Sequence, residues 1–460
     1  MRTVAPLCLV LFVACQSAGS APKPMADPPL PLSFGSGEVD ELSIPTTFGE
    51  AFADPNLQQL IEEALVHNQD LGAAAARVLA AAASWKGAQA AFSPTVDANA
   101  GATRTKQVFV GLPIPGGPSV LSSYSTSFDA GLSASWEPDL WGRLSAGERV
   151  AEAALGAQAE DWKAARLSIA AGVAKGWYSL QAARLQAEWA QEAVAAWQGS
   201  LDNALARRDA GVGSSLDVAL LEARVATAGA ALAQRREGLD NAARSLELLL
   251  GRYPAGELEG PAGDLPILPQ VAPGLPAELL ARRPDLKAAE WRLNALRAQW
   301  DLAATDLYPR LVLTGGLGQT SNALEDLLDG DFTVWSLAAR ITGPIFDGGR
   351  RKANLKGAEA RIQEAEFQFL GRVLLACAEV EGALSAEGHL ANQARSLEQA
   401  LVASTRAKEL VQARRDQGLV PISEVLEADR ARIQAESDRL AVQEQRVIRR
   451  IELIAALGGG

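Results

Sequence analysis

Cysteine and histidine are nearly absent from this 460-residue chain, with three and two copies respectively. Cys8 and Cys15 fall at the very start, so Cys377 alone remains in the body and no intramolecular disulfide can staple it. His67 and His389 each stand alone on a helical pattern. No His-Glu-x-x-His, phosphate-binding Gly-Lys-Ser/Thr loop or Gly-x-Ser-x-Gly elbow occurs. Neither an enzyme nor a metal or other cofactor is therefore expected. Basic charge is also in deficit. The net charge of -12 argues against a nucleic-acid partner, because binding phosphates needs a basic surface. Past the first residues no run reaches the roughly 18 apolar residues of a spanning helix. If the chain crosses a membrane, strands must do it. Aromatics make up only 5% while Ala is abundant, which favours closely approaching helices over a core of large side chains.

The start reads as a targeting segment: Met1-Arg2, an apolar Val4 to Val13, then Ala14-Cys15. Residues 1–14 form the signal peptide in this reading. Leu11-Phe-Val-Ala-Cys15 resembles a bacterial lipoprotein signal, with Phe12 where Leu is usual, and the resemblance implies a covalent lipid on Cys15. Gln16 after that Cys implies sorting to the outer membrane. The alternative is an ordinary signal peptide cut near Ser17–Ala21. Residues 15–53, rich in Pro, Gly and Ser, read as a lipid-anchored strap.

At Asp54-Pro55 a helix begins, Asp54 suiting the N-cap and Pro55 the first turn. Its period stops at Phe92-Ser-Pro94, and the pattern changes to strict alternation. From Tyr124 to Trp136, Tyr124, Thr126, Phe128, Ala130, Leu132, Ala134 and Trp136 oppose Ser125, Ser127, Asp129, Gly131, Ser133 and Ser135. With Thr95–Thr103 this makes a hairpin over residues 94–137, each strand about the length of a transmembrane β-strand. Residues 111–118 are its loop. Proline is then missing from about Arg143 to Arg208. At 1.5 Å per residue those roughly 65 residues would reach about 97 Å as one helix. Trp177, Trp189 and Trp197 would mark a thickened waist along it.

Everything then happens twice. Ala206-Arg-Arg-Asp-Ala-Gly-Val-Gly-Ser-Ser-Leu-Asp-Val218 returns as Ala413-Arg-Arg-Asp-Gln-Gly-Leu-Val-Pro-Ile-Ser-Glu-Val425. Each copy reads as the tip of a helical hairpin, turned by Gly211 or Gly418. His67-Asn-Gln-Asp-Leu71 corresponds to Arg282-Arg-Pro-Asp-Leu286 at 285 − 70 = 215, whereas Arg143 corresponds to Arg350 at 350 − 143 = 207. The smaller offset places a longer loop in the first hairpin. Residues 54–255 are thus one repeat with its tip near 211, and 256–275 the linker. Residues 276–460 form a second repeat with a hairpin over 309–346 and a tip near 418.

Four strands cannot close a barrel, and open edges cannot face lipid, where each unpaired backbone group costs several kcal/mol. Several copies must share one barrel, and a homotrimer would supply twelve strands. Phe92, Trp136, Trp141, Tyr308 and Phe346 gather where helices meet strands, as a membrane-interface belt would. Arg340 falls on the polar strand face.

With strap, repeat, hairpins, Gly-Pro-Ile-Phe-Asp-Gly-Gly-Arg350 and both tips, the chain resembles the TolC-like outer-membrane factors, in particular their lipidated NodT/OprM-like branch. The resemblance implies a mainly α fold in which a trimeric α-barrel of long hairpins joins a small shared 12-stranded β-barrel, four strands per chain. It implies an outer-membrane exit duct for tripartite efflux, reaching into the periplasm to meet a periplasmic adaptor (membrane fusion protein) and an inner-membrane RND-type transporter. Gly211, Val212, Gly213, Gly418 and Leu419 would turn the tips and touch the adaptor. Glu424 and Glu427, where the family usually has Asp, would ring the pore with Arg415 and Asp416 beside them. A duct for ATP-driven type I protein secretion is an alternative, as is a lipid-anchored periplasmic coiled-coil scaffold without a pore.

Overall fold

The computed structural model describes residues 31, 34–35, 48–110, 120–266, 271, 276 and 278–459. The signal peptide, Cys15, most of the strap, the 111–118 loop and much of the inter-repeat linker lie outside the described residues.

The alternating stretches form strands because side chains on a pleated backbone point to opposite faces in turn. β1 (Thr95–Val110), β2 (Val120–Trp136), β3 (Arg310–Ser321) and β4 (Thr333–Thr342) make one antiparallel sheet in that order, with β1 and β4 at its edges. Ala98 stands opposite Leu132, Leu132 opposite Leu317, and Leu317 opposite Trp335. Residues directly opposite share a face. One face therefore carries Leu132, Ala134, Trp136, Leu317, Trp335 and Leu337, and the other Asp97, Asp129, Ser133, Ser336 and Arg340. Arg340 keeps to the polar face. The first hairpin is longer than its alternation announced. β1 continues through Arg104 and Lys106 to Val110, because ladder hydrogen bonds satisfy the backbone whatever the side chains are. β3 pairs only with Phe128–Trp136 of β2, so the remainder of the first hairpin projects beyond it.

The helices are α1 (Phe48–Phe52), α2 (Pro55–His67), α3 (Gln69–Ala90), α4 (Arg143–Asp209), α5 (Ser215–Leu249), α6 (Glu278–Arg282), α7 (Pro284–Thr305), α8 (Arg350–Asp416) and α9 (Ile422–Ala456). α4 and α8 are each 67 residues long, and α5 and α9 each 35. No helix among the described residues is long and apolar enough to cross a membrane. Asp54 caps α2 as its position suggests, accepting from the N–H groups of Asn56 and Leu57 at 3.0 and 3.1 Å.

The expected single first helix is in fact two, broken at Asn68, whose backbone is extended. Its carboxamide accepts from Leu71 N and donates to Leu249 O at 2.9 Å, closing the end of α5. The second repeat breaks at the matching Arg283, which donates to Ala456 O near the end of α9 at 3.3 Å. Pro284 announces that second break at the first position of α7; Gln69 gives no such sign. Gly251 and Gly458 follow the return helices with φ of 75° and 80°. A side chain at either would strike the backbone of His67 or Arg282.

The repeats do not correspond to the compact units. One unit gathers Leu79–Gly156 and Glu290–Phe367; the other gathers Asp27–Val78, Ala157–Ala289 and Gln368–Gly460. Each repeat contributes to both. In the second unit, Phe48, Leu57, Trp177, Tyr178, Leu246 and Ile451 belong to one buried cluster. Trp177 also donates to Asp54 Oδ2 at 2.9 Å. Trp197, expected at the waist, instead packs with Leu201, Val218 and Leu221 on the tip side. Arg224 lies over its ring, 5.0 Å from the centroid, and the partly buried Ile422 and Leu426 pack against the same cluster.

Candidate functional site

Both tips are built by the same local chemistry. Gly211 and Gly418 each have a φ of 76°, the left-handed conformation that ends a helix most readily without a Cβ. Gly211 N bonds Arg208 O and Val212 N bonds Arg207 O; Gly418 N bonds Arg415 O and Leu419 N bonds Arg414 O, all between 2.8 and 3.0 Å. Gly213 is required for a different reason, since a Cβ there would run into the Arg207–Arg208 backbone. Ser214 Oγ then caps α5 at Leu216 N, whereas Pro421 begins α9 with no side-chain cap. Val212 and Leu419 are left exposed at the two turns.

Charges tie one tip to the other within a single chain. Arg415 makes an ion pair with Asp217 and donates to Val420 O at 3.2 Å. Asp416 accepts from Gln412 at 2.9 Å, and Arg208 pairs with the adjacent Asp209. Glu424 and Glu427 are exposed on α9, with Val425 between them buried. Asp429 is the acid that sequence reasoning missed. It is 3% exposed and held by Lys408 at 2.5 Å and by Arg432 at 3.4 Å. Its i,i+3 spacing to Arg432 was visible; the cross-helix reach of Lys408 was not. A cavity of about 650 Å³ opens among Trp197, Asp217, Lys408, Arg415, Asp429 and Arg432.

At the strand junctions Trp136 donates to Phe92 O at 2.9 Å, within the first repeat. Trp141 donates to Pro309 O at 2.7 Å in the second repeat and stacks on Tyr308, with centroids 5.1 Å apart. Each indole N–H is thus satisfied while much of the ring stays exposed, which suits a water–lipid boundary. Phe346 is 89% exposed. The turn into α4 is held by Asp139, which accepts from Leu144 N, Ser145 N and Ser145 Oγ. Burial pushes its carboxyl up, but these donors outweigh burial and leave it below the ordinary range. Among the described residues no group of His, Cys, Asp or Glu is placed to hold a metal ion.

Among the described residues the chain is mainly helical, with a sheet that has an apolar face and two unsealed edges, as a subunit of a shared membrane barrel would. This chain belongs to the outer membrane efflux protein family, whose model matches residues 60–252 and 275–459. It is 31% identical over 454 residues to outer membrane protein OprJ of Pseudomonas aeruginosa, covering 97% of this chain and 93% of that one. With the probable outer membrane lipoprotein SilC of Salmonella typhimurium it shares 30% identity over 416 residues, 89% of this chain and 87% of SilC. Its fold is similar to that of the Neisseria gonorrhoeae MtrE outer membrane channel in its open state. The TM-score is 0.83 at 30% identity, over 96% of this chain and 98% of MtrE.

Proposed function

We propose that this chain is the exit duct of a tripartite efflux system, closed as a homotrimer in the outer membrane. The observation that carries it is the four-stranded sheet with free edges at β1 and β4, inside a chain that matches the efflux family over both repeats. Strand edges cannot be left unpaired in lipid. Pairing β4 of one copy with β1 of the next closes twelve strands along their shared length, Arg340 facing the lumen. The scaffold reading has no use for such a sheet. A lipid on Cys15 anchors the strap, as the name of SilC suggests for that protein.

Cargo then passes through a duct that catalyses nothing itself, driven by an RND-type transporter through a periplasmic adaptor. Val212 and Leu419 are the exposed apolar contacts offered to that adaptor. Photocrosslinkers at these two positions in intact cells are expected to capture a periplasmic adaptor belonging to a proton-driven pump. Capture of an ATP-driven exporter would replace the efflux reading with type I secretion, and self-crosslinks alone would leave it without its partner.

Glu424 and Glu427, carried by three copies, form two carboxylate rings that favour cations. Glu424→Gln combined with Glu427→Gln is expected to lower the cation-over-anion permeability ratio in planar-bilayer recordings several-fold, with assembly intact. An unchanged ratio removes both residues from the conducting path.

A further inference from the structure

The projecting part of the first hairpin carries different chemistry on the same sheet face. Arg104 stands opposite Thr126 and Lys106 opposite Tyr124, in register with the face of Phe128, Leu132 and Trp136. Both cations lie against the Tyr124 ring, the guanidinium 5.8 Å and the ammonium 5.4 Å from its centroid. Among the described residues neither makes an ion pair. No carboxylate shares this face of β1 or β2, because Asp97 and Asp129 both belong to the opposite face. In a chain of net charge -12, two unpaired cations on the apolar face of a membrane strand need a counterion.

Distance says where they sit. Tyr124 precedes Trp136 by 136 − 124 = 12 residues along β2. At about 3.4 Å per residue and a tilt of about 40°, that separation spans roughly 31 Å, close to the thickness of a hydrocarbon core. With Trp136 at one boundary of the membrane, Tyr124 lies at the other, and Phe128, Ala130, Leu132 and Ala134 fill the interior between them. The two cations therefore stand at headgroup level on the lipid side, at the boundary away from the helices.

We infer that Arg104, Lys106 and Tyr124 form a binding site for the phosphate of a membrane lipid headgroup. The guanidinium offers a planar fork to phosphate oxygens, the ammonium a point charge, and the ring an amphipathic floor. The inference rests on the sheet lying in the outer membrane, as proposed above.

The test uses the full-length assembly in phosphatidylcholine nanodiscs containing bis-phosphorylated lipid A or its dephosphorylated form, with retained lipid counted by native mass spectrometry. Wild type is expected to retain the phosphorylated form roughly 10- to 30-fold better, each cation contributing several-fold. Arg104→Gln with Lys106→Gln should abolish the preference, and Arg104→Lys with Lys106→Arg should keep most of it. Equal retention of both lipids by an inserted wild-type trimer overturns the headgroup site alone, as does a preference that survives in the Gln variant. Loss of lipid to excess inorganic phosphate makes the free ion the ligand and overturns the lipid assignment. Failure of the wild type to insert overturns the membrane reading together with the site.

Discussion

Arginine at Leu132 is expected to abolish assembly in the outer membrane. Leu132 lies mid-strand on the apolar face, opposite Ala98 and Leu317, and is 54% exposed in the single chain. A charge on the lipid face near the midplane costs about 2–4 kcal/mol, so three copies cost about 6–12 kcal/mol. That is comparable with the whole stability of a typical domain. The adjacent Ser133 stands opposite Asp97 and Gly316 on the other face, so Ser133→Arg points into water and should assemble normally. Both variants are read by outer-membrane fractionation and by yield of the oligomer that resists mild detergent. Leu132→Arg assembling at wild-type yield, or Ser133→Arg failing as badly, would show that the faces are reversed or that neither meets lipid.

A second large effect is expected at Glu247, in the last turn of α5. Its carboxylate is 4% exposed and accepts from the N–H groups of Gly256, Glu257 and Leu258 at 2.6, 2.8 and 3.0 Å. This one side chain pins the segment leaving α5. Glu247→Ala would leave three partly buried or exposed N–H donors without this acceptor, and at about 1 kcal/mol for each lost bond a loss of about 3 kcal/mol is expected. Burial pushes the Glu247 carboxyl up, but the three N–H donors outweigh it and, with Arg252 nearby, hold it below the ordinary carboxylate range. Because the folded value is depressed, its contribution is present in full above the unfolded value of about 4.3. It is lost as pH falls through the folded value. The stability gap between wild type and Glu247→Ala should therefore be widest at neutral pH and narrow in acid. A glutamate-specific protease supplies a local readout, since Glu257 lies exposed in the pinned segment and should be cut faster in the variant. Equal cleavage and equal denaturation midpoints at pH 7 would remove Glu247 from this role.

Several boundaries were legible because each has a strong local cause. α4 and α8 end at tips where glycine alone relieves the left-handed turn, and the Ala-Arg-Arg-Asp pattern before both made the pair recognisable. Strict alternation from Tyr124 to Trp136 disclosed β2 and its two faces. The break at Asn68 was not legible, because it depends on a bond to Leu249, 181 residues away. Among the tip charges, the family resemblance singled out Glu424 and Glu427, and both are exposed. The sequence could not foresee that Arg415 joins Asp217, that Lys408 joins Asp429, or that Trp197 leaves the waist for the tip cluster.

By itself the sequence determined the repeat, the helix and strand periods, the turn chemistry and the division of the strands into an apolar and a polar face. These follow from side-chain spacing and backbone preference over a few residues, and they suffice to bring out the resemblance to the family. Tertiary structure alone decided which strand pairs with which and which residues therefore share a face. It also drew each compact unit from both repeats, and selected the polar groups that are held: the partly buried Asp217 and the buried Glu247, Arg283 and Asp429. The reason is physical. A hydrogen bond or ion pair made outside regular helix or strand spacing, 9 residues away for Glu247 and 198 for Asp217, leaves no local periodicity, and its partners meet only once packing has placed them.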